Sequence, residues 1–136
     1  MITKLTHATL YVLDQDRAKD FYVNKLGLEC RDDAKMGAFR WLTVGPKTQP
    51  DVRIILMAIG AGPMVTEAHA KAMRDLLAGG SPLGGGVLTT DDLRRDYELL
   101  KAKGVEFPQP PKQEPYGFAA VFKDDSGNYW SFNEER

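Results

Sequence analysis

Hydrophobic and polar positions change period along this chain, and the changes mark its elements. Over residues 5–13, Ala8, Leu10 and Val12 fall on one side while His7, Thr9 and Tyr11 fall on the other, the two-residue period of a strand. From Asp14, which suits a helix N-cap with Asp16 in the first turn, the period lengthens. Ala18, Phe21, Tyr22 and Leu26 recur at helical spacing, and Gly27 stops the run. Residues 28–32 return to extended chain. Aromatic and β-branched content predicts a strand over 36–45, 46–51 reads as a turn, and 52–58 reads as a buried strand. The first half is therefore βαβββ.

A connector over 60–81 follows, with a helix running from Thr66 through Ala70, Met73, Leu76 and Leu77 to Gly79 and Gly80. The glycines at 84–86 read as a flexible joint leading into a strand over 87–90. Asp91 or Asp92 caps a helix that carries Leu93, Tyr97 and Leu100 on one face and stops at Gly104. Residues 105–107 are extended and 108–115 are rich in proline. The last two strands, 116–122 and 128–132, flank a turn at 125–128, where Gly127 and Asn128 tolerate positive φ. The second half repeats βαβββ. Asp14 and Asp91, Arg17 and Arg94, Gly27 and Gly104, and Glu29 and Glu106 recur at one constant offset, which points to internal duplication. The pattern predicts an α+β fold of two βαβββ modules, approximately 1–59 and 82–136, joined by a helical connector over 60–81.

Composition narrows the function classes. With 136 residues, 43% hydrophobic and 27% charged, the chain is sized and composed for one globular domain. A formal net charge of −1 without a basic cluster argues against nucleic acid or an anionic membrane as partner. Cys30 is the only cysteine, so no internal disulfide or multi-cysteine zinc site can form, and a cytoplasmic setting is expected. The first residues lack the apolar core of a signal peptide, and no run is long enough to span a membrane.

Three stretches, in this order and spacing, resemble the vicinal oxygen chelate superfamily of glyoxalases, extradiol dioxygenases, and bleomycin- and fosfomycin-resistance proteins. They are His7 to Val12 with Arg17, Phe21, Tyr22 and the run Leu26 to Glu29; Asp91 to Leu93 leading to Leu99 through Phe107; and Phe122 to Asn128. Trp41 to Pro46 and Pro50 to Val52 are similar to a glyoxalase-like subgroup. The resemblance implies a single domain over 1–136 with curved mixed sheets around a pocket, helices outside, and a homodimer. It also implies a divalent ion held by strand imidazoles and carboxylates. His7 matches the first ligand position. The others fall on the glycines at 84–86, on Ser131, and on a strand over 52–58 without an acid. A single neutral imidazole does not hold such an ion firmly. Glu134 has the wrong strand parity to substitute, and Glu135 stands at the chain end.

The expectation is therefore a small-molecule binding protein, its ligand aromatic or polar, with no cofactor. His7 is the candidate acid/base. Thr9, Tyr11, Trp41, Tyr116, Phe118, Tyr129 and Ser131 are the candidate pocket residues, and no metal ligands are assigned. Arg40 and Arg53 are possible partners for an anionic ligand, and His69 reads as a surface residue. The alternatives are a metal-dependent lyase, isomerase or dioxygenase of the glyoxalase type, and a metal-independent enzyme using His7 or a tyrosine.

Overall fold

The computed structural model describes residues 1–135. Its elements run β1 (His7–Val12), α1 (Gln15–Lys19) with a π-helical continuation (Asp20–Lys25), β2 (Glu29–Met36), β3 (Phe39–Gly45) and β4 (Arg53–Ala58). After these come α2 (Glu67–Ala78), β5 (Val87–Thr90), α3 (Leu93–Ala102), β6 (Gln109–Glu114), β7 (Gly117–Lys123) and β8 (Tyr129–Glu134). They form two separate four-stranded mixed sheets, ordered β1-β4-β3-β2 and β5-β8-β7-β6. In each, the first strand runs parallel to the last while the rest pair antiparallel. The duplicated α+β architecture read from the sequence is thus the fold.

The helices start and stop where expected. The Asp14 carboxylate accepts the Arg17 N–H, and the Asp92 carboxylate accepts that of Arg95. Gly27 and Gly104 end their helices at φ +77° and +88°, a left-handed conformation that glycine adopts without a Cβ penalty. The span from cap to stop is one residue longer in the first module. The π-helical stretch, in which Leu26 N–H reaches Phe21 O at 3.0 Å, absorbs that extra residue.

Three expectations are corrected. The second strand extends to Met36, and the third begins at Phe39 after a two-residue turn at Gly37 and Ala38. Gly37 at φ +65° supplies the left-handed position such a hairpin needs. The third element of the second module is the proline-rich stretch itself, not 105–107. As β6 it is an edge strand, and its register skips between Gln109 and Lys112, so Pro110 and Pro111 sit where missing N–H groups cost little. The glycines at 84–86 are not a flexible joint. Tyr129 N–H and Ser131 N–H bond to Gly84 O and Gly86 O. A Cβ on Gly85 would lie 1.6 Å from Tyr129 O, so two backbones approach there as only glycine permits.

One core joins the modules. Phe21 and Tyr22 from the first pack with Phe122, Trp130 and Phe132 from the second. The rings of Phe21 and Phe122 lie 6.3 Å apart across the junction, and those of Tyr22 and Trp130 lie 6.4 Å apart. The loop between β7 and β8 locks this arrangement. Asp124 Oδ1 accepts the N–H groups of Ser126, Gly127 and Asn128 at 2.8–2.9 Å. Its Oδ2 accepts the Tyr22 hydroxyl at 2.5 Å, and Tyr22 Oη in turn accepts Trp130 Nε1–H at 2.9 Å. Asn128 donates to Tyr11 O and accepts from Leu83 and Gly84, while Ser126 Oγ accepts Leu13 N–H. Gly127 alone takes positive φ in this loop. A second, smaller cluster seats α2, burying Ala70 and Leu77 against Ile59.

Candidate functional site

Strand alternation and pairing register decide which side chains share a face. On the first sheet, His7, Thr9 and Tyr11 of β1 lie opposite Arg53, Ile55 and Met57 of β4. Thr43 pairs with Ile55, which puts Thr43, Trp41 and Phe39 of β3 on that same face. Asp32, Ala34 and Met36 of β2 join them. This face points away from the core, and it grades from polar to apolar along the strands. One end holds His7, Arg53, Thr43 and Asp32. The other holds Tyr11, Met57, Phe39 and Met36.

The polar end is organised around Asp32. Its Oδ2 accepts the Thr43 hydroxyl at 2.6 Å and Arg53 Nε–H at 3.1 Å. Thr43, Arg53 and Trp41 together hold its carboxyl below the ordinary range. Thr43 is fully buried, whereas the Arg53 side chain is about a third exposed. The His7 and Trp41 rings stand 5.9 Å apart at 45°, and Thr6 Oγ1 lies 2.9 Å from His7 Nδ1. At the apolar end, Tyr11, Phe39 and Met57 face the connector residues Pro63, Met64 and Val65 across a cavity of about 480 Å³. Gln15 Nε2 bonds to Arg40 O and Leu56 O at its margin. Ring faces and methionine sulfur on one side with fixed donors on the other suit a flat organic molecule.

Four residues singled out from sequence, His7, Thr9, Tyr11 and Trp41, come together here. Tyr129 and Ser131 lie on the corresponding face of the second sheet, where Ser131 Oγ bonds Asn133 Oδ1 at 2.7 Å. Phe118 has the opposite parity. It packs on the core side, with the Arg94 guanidinium 4.8 Å from its ring. Tyr116 sits in the turn between β6 and β7. Arg40 belongs to the helix side of the first sheet. Asp33 and Asp16 bind it there, and Lys19 shares Asp33. Glu134 caps α3 by accepting Leu93 N–H, and Glu135 is exposed. Asp32, Thr43, Phe39, Met57 and Met64 were not singled out from the sequence. Correct placement of β2 and β3 would have brought the first three onto this face by parity.

Among the described residues, no group of three or more His, Cys, Asp or Glu side chains is placed to hold a metal ion. His7 has the Arg53 cation as its register neighbour, and Asp32 is engaged by that same cation. This donor set does not fit a divalent ion. A larger crevice of about 770 Å³ opens at the seam between modules, rimmed by Asp91, Asp96 and Glu135 over Leu28 and Phe132. None of the predicted pocket side chains lines it. No helix among the described residues is long and apolar enough to cross a membrane.

Comparison with known proteins agrees with this fold. The family model described as Glyoxalase/Bleomycin resistance protein/Dioxygenase superfamily matches residues 4–132. The crystal structure of UcmS2 is 48% identical, each chain covered to 98%, with a TM-score of 0.89. That of TnmS3, an antibiotic binding protein from Streptomyces sp. CB03234, is 30% identical with a TM-score of 0.75, covering 99% of this chain and 98% of its own. An uncharacterized protein of Shewanella frigidimarina is 35% identical, with 96% of this chain and 92% of that protein aligned.

Proposed function

The chain belongs to the glyoxalase/bleomycin resistance protein/dioxygenase superfamily, and on that premise we propose that it binds a small aromatic molecule without a metal ion. The observation that carries this reading is the open face of the first sheet. There a histidine–tryptophan ring pair and an arginine–aspartate–threonine cluster adjoin an apolar cavity, and no metal-ligand trio stands among the described residues. The likeness to TnmS3 supports binding over turnover. Among the described residues, the lone His7 imidazole beside an arginine-bound Asp32 speaks for this reading over metal-site chemistry.

Assembly as a homodimer is part of the proposal. Exposed Met36, Phe39, Val87 and Tyr129 on the open sheet faces are the apolar surface that a second copy would cover. The experiment is a titration of flat aromatic compounds into chelator-treated protein, followed by tryptophan fluorescence and calorimetry. Saturable one-site binding that is unchanged by added zinc, nickel, manganese or iron is expected. Trp41→Ala should weaken it about tenfold while leaving the fold intact. Binding that appears only when a metal is restored would refute metal independence.

A further inference from the structure

The proposed binding face has a direction, set by the contrast between its two arginines. Arg40 is spent on the helix side, where both its Nε and its Nη atoms meet Asp33 or Asp16. Arg53 stands on the open face and is anchored by one atom, since Nε donates to Asp32 Oδ2 at 3.1 Å. Neither Nη1 nor Nη2 of Arg53 has a hydrogen-bonding partner among the described residues. Asp32 is itself fixed by the buried Thr43 hydroxyl. The result is a braced guanidinium with two amino groups left to donate, the geometry that takes two neighbouring oxygens at once.

His7 is the register partner of Arg53, and the Trp41 ring lies 5.9 Å from the imidazole. Two and four residues further along β4 the same face passes through Ile55 to Met57, where the cavity with Phe39 and Met64 begins. At about 3.3 Å per residue, Arg53 and Met57 are roughly 13 Å apart. That is the length of two to three fused or linked aromatic rings with a terminal substituent.

We infer that this face takes an elongated aromatic acid in one orientation, with its carboxylate or acidic phenolic oxygens on the Nη groups of Arg53 and its rings along Trp41 toward Phe39, Met57 and Met64. The inference rests on the binding reading above and adds the class and polarity of the ligand. Asp32 is then a positioning residue that aims the guanidinium, and no bond is made or broken.

The test uses the full chain with two probes of equal shape, para-phenylbenzoate and its primary amide, titrated by calorimetry. The acid should bind about tenfold more tightly than the amide, as charge-assisted bonds to a braced guanidinium require. Arg53→Gln should abolish that preference by weakening the acid alone, and Arg53→Lys should keep only part of it. A measurement without substitution guards against a misfolded variant. Phenylglyoxal labelling of Arg53, located by mass spectrometry, should be blocked by the acid and not by the amide. Equal affinity for acid and amide in the native protein would overturn the inference while leaving the binding proposal standing. A preference that survives Arg53→Gln, or labelling unaffected by the acid, would also overturn it. Binding of neither probe nor any other aromatic would remove both.

Discussion

Tyr22→Phe removes one oxygen atom, and the consequence can be worked out from the junction. The Tyr22 side chain is fully buried. Burial, then the neighbouring Asp124 carboxylate, pushes its hydroxyl well above the ordinary phenol range, so it is a donor at neutral pH. Phenylalanine keeps the edge-on packing with Phe21, whose ring lies 5.1 Å away. What is lost is a relay: the Trp130 Nε1–H loses its acceptor, and Asp124 Oδ2 loses its shortest donor. A buried donor left unpaired costs about 1–3 kcal/mol, and a bond to a carboxylate contributes a similar amount. The substitution should therefore destabilise by about 3 kcal/mol, a large share of the ~5–15 kcal/mol that holds a domain folded. Urea unfolding followed by tryptophan fluorescence gives the number directly, with unchanged m-value expected. A melting temperature lower by about 10 °C is the matching thermal result. In a Trp130→Phe background the hydroxyl should be worth about 1 kcal/mol less, because the indole donor is already gone. A Tyr22→Phe protein within about 0.5 kcal/mol of the parent would show that the relay is incidental to the junction.

Asp125 gives a pH dependence of definite sign. Its carboxylate oxygens are buried without a hydrogen-bond partner, and Arg17 approaches only to 3.8 Å. Burial, with the Asp124 charge next, raises its pKa to about 6. The folded state therefore holds this proton after the unfolded chain has lost it. This group's contribution to stability should fall as pH rises from about 4 to about 6 and stay low above that; urea midpoints across that window should lose this slope in Asp125→Asn. Gly85→Ala should cost about 3 kcal/mol or more, since the added methyl meets Tyr129 O and φ is +144°; soluble protein of native midpoint would contradict the close approach. Asp92→Ala should cost about 1 kcal/mol through the lost cap of α3, measured by the same unfolding assay.

The duplicated fold was legible because its signals are local. Alternation marks β1, caps and glycine stops bound the helices, and their recurrence reports the second copy. What stayed hidden was set by neighbours far away in sequence. Only residues 28–32, at the start of β2, read as extended chain, and the charged continuation through Asp33 and Lys35 hides the rest of the strand. Asp33 is partnered by Arg40 across the sheet and by Lys19 of the helix beside it, and Arg31 donates to Val52 O and Pro46 O in the space that Gly45 leaves free. β6 looks too proline-rich for a strand, and only its place at the sheet edge makes it one. The site was half legible for the same reason. His7, Thr9, Tyr11 and Trp41 reveal themselves by parity within their own strands. The brace of Asp32 and Thr43 behind Arg53 exists only once three strands are in register. Phe118 shows the opposite failure, an aromatic residue whose strand parity turns it toward α3.

The aromatic junction means that neither half is a folding unit in its own right, although each has a complete topology. Severing the chain in the exposed residues 60–64 would leave two pieces, each with a bare greasy flank and half of the Tyr22–Asp124 relay. Such a nicked protein should stay together as a complemented pair, and either fragment prepared alone should be insoluble until it meets the other.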